Sequence, residues 1–162
     1  MLAVEFKRSR RNRLPFAVAL ADIDFFKSVN DEHGHPAGDV VLVRVAERLR
    51  EIVRETDCGA RFGGEEFLAV LGDNDRAGAE TFAERWRQAV EDMKIELEGG
   101  KIVSTTISIG IACWTPELVS PLPMIRWADQ ALYRAKALGR NRICFYSGSE
   151  GDDENAVASS IS

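Results

Sequence analysis

An α/β sandwich around one mixed sheet is the fold that three features of the 162-residue sequence predict. The run Pro15-Phe16-Ala17-Val18-Ala19-Leu20-Ala21 is apolar almost without a break and stops at Asp22, the pattern of a strand buried on both faces. Two glycine pairs, Gly63-Gly64 and Gly99-Gly100, stand between strand-like segments in the manner of hairpin turns. Between the strands, segments at about 38–54, 76–93 and 121–138 repeat apolar residues at helical spacing.

In chain order, residues 1–14 carry Lys7, Arg8, Arg10, Arg11 and Arg13 against the single acid Glu5. A nucleic-acid or membrane arm is one reading, and a solvated helix face leading into the first strand is the simpler one. After that strand, residues 25–35 predict a helical turn and a loop ending in Gly34-His35-Pro36-Ala37-Gly38-Asp39, whose glycines let the backbone approach a ligand closely. The next helix turns Leu42, Val45, Ala46, Leu49, Ile52 and Val53 toward the sheet, and Asp39 is placed to cap it. The first hairpin joins Cys58-Gly59-Ala60 to Leu68-Ala69-Val70-Leu71, with positive φ expected at both Gly63 and Gly64. Gly72-Asp73-Asn74-Asp75 then breaks the chain before a helix whose Ala79, Phe82, Ala83, Trp86, Val90 and Met93 read as core, Trp86 included, rather than as a stacking platform. A strand over 102–113 alternates through Val103, Thr105, Ile107, Ile109 and Ile111, while Ser108 and Gly110 leave room for a close neighbour. The last helix points Ile125, Ala128, Leu132 and Ala135 inward, stops at Gly139, and passes to a strand at 142–146. Residues 147–162 turn to Ser, Gly and unbalanced acid, the composition of a disordered tail.

The length suits one domain, and a net charge of −5 argues against a general nucleic-acid surface. Cys58, Cys113 and Cys144 lack metal-ligand spacing and lie beside apolar runs, as buried reduced thiols of a cytosolic protein would. No apolar run approaches the ~20 residues that span a bilayer. The expected location is cytoplasmic, either free or as the cytoplasmic part of a membrane-bound protein, without membrane contact by this domain.

Chemistry concentrates in Arg61-Phe62-Gly63-Gly64-Glu65-Glu66-Phe67. Two adjacent carboxylates on a tight turn repel each other, so the turn is either a solvated hairpin tip or a cation site. A second acidic strand end at Asp22 favours the cation. Asp22, Glu65 and Glu66, with the backbone carbonyl of Ile23, make an oxygen-rich set suited to Mg²⁺, or Mn²⁺ in its place, when a nucleotide's phosphates complete the shell.

These residues, together with Asp22-Ile23-Asp24-Phe25-Phe26-Lys27, Asn30-Asp31, Gly34-His35, Gly38-Asp39, Ser108-Ile109-Gly110, Ala128-Asp129-Gln130-Ala131-Leu132-Tyr133-Arg134-Ala135-Lys136 and Gly139-Arg140-Asn141, resemble the GGDEF family of diguanylate cyclases, in its GGEEF form, from about Phe16 to Phe145. The resemblance implies a five-stranded sheet flanked by helices, similar to nucleotidyl cyclases and polymerase palms, over residues 15–146. It implies condensation of two GTP into cyclic di-GMP and pyrophosphate between two copies of the domain. Glu65 and Lys27 are then the catalytic candidates. Phe25, Phe26, Asn30, His35, Asp39, Lys136 and Arg140 are candidates for binding GTP: Asn30 and Asp39 read guanine, the cations hold phosphate, and His35 braces its loop. Lys136 would also be favourable as a plain cation near a helix end. Arg54-Glu55-Thr56-Asp57 resembles the family's Arg-x-x-Asp inhibitory site, with Arg85 in the register of its second arginine, although the same spacing suits a helix-end ion pair. The family's upstream Asp-x-Leu-Thr signature is absent, so residues 1–14 are expected to be the remnant of a linker from a missing sensor or receiver domain. Two rivals remain: a non-catalytic domain that binds GTP or cyclic di-GMP and signals through a partner, and a cyclase with another base preference.

Overall fold

The computed structural model describes residues 1–148, and the expected tail at 147–162 lies outside them apart from its first two residues. The elements run α1 (Leu2–Asn12), β1 (Phe16–Ile23), α2 (Phe26–His33), α3 (His35–Ile52), β2 (Cys58–Gly63), β3 (Glu66–Gly72), α4 (Arg76–Glu91), β4 (Ile95–Glu96), β5 (Ile102–Val103), β6 (Ile107–Cys113), α5 (Leu122–Ala137) and β7 (Ile143–Phe145). Five strands form one mixed sheet in the order β2-β3-β1-β6-β7, and β4 pairs with β5 alone. Strand β1 lies antiparallel to both β3 and β6, while β6 and β7 are parallel.

The unbroken apolar run of β1 follows from this central place. All eight of its residues are buried. Alternate side chains enter two cores: Ala17, Ala19, Ala21 and Ile23 join the cluster that includes Val41, Trp86 and Ile109, and Phe16, Val18 and Leu20 join one with Phe6, Met124 and Leu132. Trp86 is fully buried. Small side chains at 17, 19 and 21 leave room for α4 to lie close over one face.

Gly110 does the same for the other face. A Cβ there would stand 2.0 Å from the Ala128 carbonyl oxygen and 2.2 Å from the Leu132 nitrogen, so α5 rests directly on β6. Gly110→Ala must push the helix off the strand, and a loss of about 3 kcal/mol is expected. Urea denaturation checks this; an unchanged midpoint would show that helix and strand can part without cost.

Several sequence expectations change. Helix α3 starts at His35 rather than near 38, because Pro36 sits in its first turn behind the Gly34 N-cap, so Asp39 lies inside the helix and does not cap it. On that helix Ala46 is exposed and Val41 takes the buried place; on α5 Met124 is buried where Ile125 is only half-buried. The expected strand over 102–113 is two strands in two sheets, divided at residues 104–106. The three thiols are free but half-buried. Residues 1–14 are largely α1, whose Phe6 and Glu5 are buried and whose Arg8 donates to Asp73 at 2.6 Å.

Candidate active site

The C-terminal end of β1 and the β2–β3 turn form one acidic edge. Glu66 is the ladder partner of Asp22, and the Ile23 N–H donates to the Glu65 carbonyl at 3.4 Å, which ties the turn to the strand end. Gly64 and Glu65 are the turn's two central residues, between Gly63 and Glu66. Only Gly64 needs positive φ, at 50°; Gly63 does not take it. Arg61 donates from Nε to the Gly64 carbonyl at 2.8 Å and steadies the turn from outside.

Asp22 is buried, and the Lys136 ammonium from the last turn of α5 lies 2.8 Å from its Oδ2. Burial pushes the Asp22 carboxyl above its ordinary value, the Lys136 hydrogen bond and charge oppose this, and Glu65 and Asp24 add to the rise. Burial likewise raises Glu66, followed by the charge of Asp22, with Asp129 and Glu65 adding and Lys136 opposing. The folded state therefore holds protons here more tightly than the unfolded chain. The associated stability is present below the ordinary glutamate value of 4.5 and is lost as pH rises through the elevated one. Glu66→Gln should accordingly melt higher than the parent protein at pH 7, by about 2 °C, and the gap should close below pH 4.5. Equal melting curves at both pH values would remove the charge conflict.

The donor set at this edge is oxygen throughout, the chemistry a hard divalent cation takes. Among the described residues no three His, Cys, Asp or Glu side chains are grouped so that they could hold an ion alone. A cation shared with substrate phosphates needs only one or two carboxylates from the protein.

Beside this edge, α2 and α3 bring the proposed base readers together. Gly38 has no Cβ because one would stand 2.0 Å from Asn30 Oδ1, and that buried oxygen has no hydrogen-bond partner. Asp39, the next residue, is exposed. Phe25 takes positive φ at the start of α2 and is 63% exposed, with the Arg140 guanidinium 4.7 Å from its ring centroid; Phe26 instead packs against the core. Lys27 is exposed on the first turn of α2. His35 also stands exposed. The bracing histidine is His33, whose Nδ1 accepts from Lys101 at 3.0 Å and so ties α2 to the β4–β5 turn.

Sequence reasoning missed the role of Asp24. Its buried carboxylate accepts from the hydroxyls of Thr106 and Ser108, each at 2.7 Å, and from the Asn141 N–H at 3.0 Å. Partners so distant in sequence leave no local pattern.

On the opposite side of the β2–β3 hairpin, the Arg54–Asp57 spacing gives no simple side-chain pair. The Asp57 carboxylate accepts from the Arg54 backbone N–H at 3.0 Å, and the Asp57 N–H donates to the Arg54 carbonyl at 3.0 Å. This turn leaves the Arg54 side chain exposed, and the second Asp57 oxygen is buried without a partner. Arg85 donates to the Ile52 carbonyl at 2.8 Å, which sets it on the same surface as Arg54.

Fold and site together define an α/β domain with an acidic turn facing a buried aspartate that pairs with the Lys136 ammonium, an arrangement suited to nucleotide phosphates. Residues 1–142 match the family model described as diguanylate cyclase, GGDEF domain, and the chain belongs to that family. Diguanylate cyclase A of Treponema denticola is 43% identical over 127 residues, covering 78% of this chain and 34% of that protein. The response regulator PleD of Caulobacter vibrioides is 40% identical over 138 residues, 85% of this chain and 30% of that one. The chain thus spans about a third of the length of these relatives. Among solved structures, the active GGEEF domain of a diguanylate cyclase from Vibrio cholerae superimposes with a TM-score of 0.84 at 33% identity, covering 91% of this chain and 93% of that chain. The GGDEF domain of DgcB from Caulobacter crescentus, solved in complex with c-di-GMP, gives 0.85 at 29% identity, covering 90% and 85%. The five-stranded sheet with flanking helices is the fold these relatives share. No helix among the described residues is long and apolar enough to cross a membrane.

Proposed function

We propose that this domain condenses two GTP molecules into cyclic di-GMP with release of two pyrophosphates, each of two copies contributing half of the site. The observation that carries the reading is the Asp22–Lys136 pair, 2.8 Å apart, facing the Glu65-Glu66 turn at the end of β1. Magnesium, or manganese in its place, held by Asp22, the Ile23 carbonyl and Glu65 with Glu66 beside them, would offset phosphate charge and favour departure of pyrophosphate.

Lys136 changes partner on substrate binding, from Asp22 to phosphate oxygen. Lys27 and Arg140 add a point charge and a planar fork to the same triphosphate. The unpartnered Asn30 Oδ1 and the neighbouring Asp39 carboxylate accept from guanine N–H groups that adenine does not present. Glu65 takes the proton as a 3′-oxygen forms its bond to the partner's α-phosphorus and the bond to pyrophosphate breaks. Repeating the step across the pair closes the ring. A second copy is therefore a necessary partner.

Product binding at Arg54, Asp57 and Arg85 forms the second part of the proposal. Cyclic di-GMP would meet Arg54 and Asp57 from one copy and Arg85 from another, holding the two GTP sites apart. Support comes from the exposed Arg54 and the nearby Arg85 on one surface, and from the relative solved with that product.

Incubation with Mg²⁺ and either GTP or ATP, followed by chromatography, tests the reading. Cyclic di-GMP from GTP, with specific activity rising with protein concentration, is expected. No product at any concentration would leave a binding module, and product from ATP would mark a cyclase of another base preference.

A further inference from the structure

We infer that Asp24, Asn141 and Arg87 are positioning residues which fix Arg140 for the triphosphate; this inference rests on the function proposed above. Three consecutive residues after α5 take positive φ: Gly139 at 114°, Arg140 at 64° and Asn141 at 46°. A glycine alone suffices to end a helix, so the two further residues in a conformation unfavourable to side chains need another cause. The cause is a set of hydrogen bonds from three elements. The Asn141 N–H donates to Asp24 at the end of β1 at 3.0 Å, its side-chain oxygen accepts from Arg87 on α4 at 2.8 Å, and its amide nitrogen donates to Glu91 on the same helix at 2.7 Å. Arg87 is buried and itself held by Glu91 at 2.7 Å, so the anchor is rigid.

Held in this way, the turn places the Arg140 guanidinium over the Phe25 ring. Asp24, Phe25, Glu91 and Thr106 also line one open groove of about 630 Å³, so Phe25, which carries the Arg140 guanidinium, shares a surface with two members of the network. Asp24 differs from Asp22 in this. Its carboxylate is taken up by three donors of the chain itself and serves geometry rather than a cation.

Calorimetry with a non-hydrolysable GTP analogue and with GMP tests the role. Asn141→Ala should weaken the analogue roughly tenfold and leave GMP unchanged, and Asn141→Ala combined with Arg140→Ala should bind no more weakly than Arg140→Ala alone. Arg87→Met should act in the same direction. If Asn141→Ala does not fold, Asn141→Gly keeps the backbone conformation while removing the amide and should show the same selective loss. Equal weakening of both nucleotides, additivity with Arg140→Ala, or unchanged affinity overturns the inference. A parent protein that binds neither nucleotide would instead overturn the cyclase reading on which it rests.

Discussion

Glu65→Gln is expected to lower cyclase turnover by about a thousandfold and to leave the fold intact. The side chain is half-buried in a two-residue turn, and the contact that ties this turn to β1 runs through the Glu65 backbone carbonyl, which the substitution does not touch. Removing one negative charge from an edge where Glu65 raises both Asp22 and Glu66 should, if anything, relieve the folded state. What is lost is an anionic oxygen able to share a cation with phosphate and to take a proton. Glu66→Gln should cost less turnover, because Glu66 faces Asp22 across the ladder whereas Glu65 occupies the turn itself. Product chromatography at saturating Mg²⁺, with thermal melting as the control, decides the matter. Turnover at the parent level with an unchanged melting point would remove Glu65 from the chemistry.

How much of this was legible beforehand depends on the range of the interactions. The central strand could be read because burial on both faces demands an unbroken apolar run, and the acidic turn could be read because like charges at a Gly-Gly hairpin need a reason. Gly110 was also legible, since a glycine inside a β-branched strand signals close approach. The start of α3 was not. Asp39 looked like a cap, but Pro36 is preorganised for a first helical turn and Gly34 supplies the break, so the helix begins earlier than any acid. Alternation over 102–113 showed which side chains face inward, but period two persists across an interruption and gives no sign that β5 and β6 belong to different sheets. The Asp24–Asn141 bond joins residues 117 positions apart, and no local pattern reports it.

Arg54→Ala should weaken cyclic di-GMP binding roughly a hundredfold, relieve product inhibition, and leave initial turnover nearly unchanged. The turn is built so that this arginine is presented rather than used. Asp57 satisfies the Arg54 backbone N–H, its own N–H closes the turn, and the guanidinium is left exposed beyond the end of α3. Truncation therefore removes a five-donor fork with little loss of packing. The converse variant is Asp22→Ala, which should abolish turnover and still bind cyclic di-GMP, because Asp22 lies at the C-terminal end of the central strand β1 while Arg54 lies between α3 and the start of the edge strand β2. Arg85→Ala should resemble Arg54→Ala in inhibition but also loosen α4 from α3, since its guanidinium bonds the Ile52 carbonyl at 2.8 Å. Calorimetry on the three variants, with initial rates measured before product accumulates, separates the two sites. Product bound by Arg54→Ala as tightly as by the parent protein would reduce this surface to an exposed arginine beside a braced turn, and feedback through it would have no physical basis.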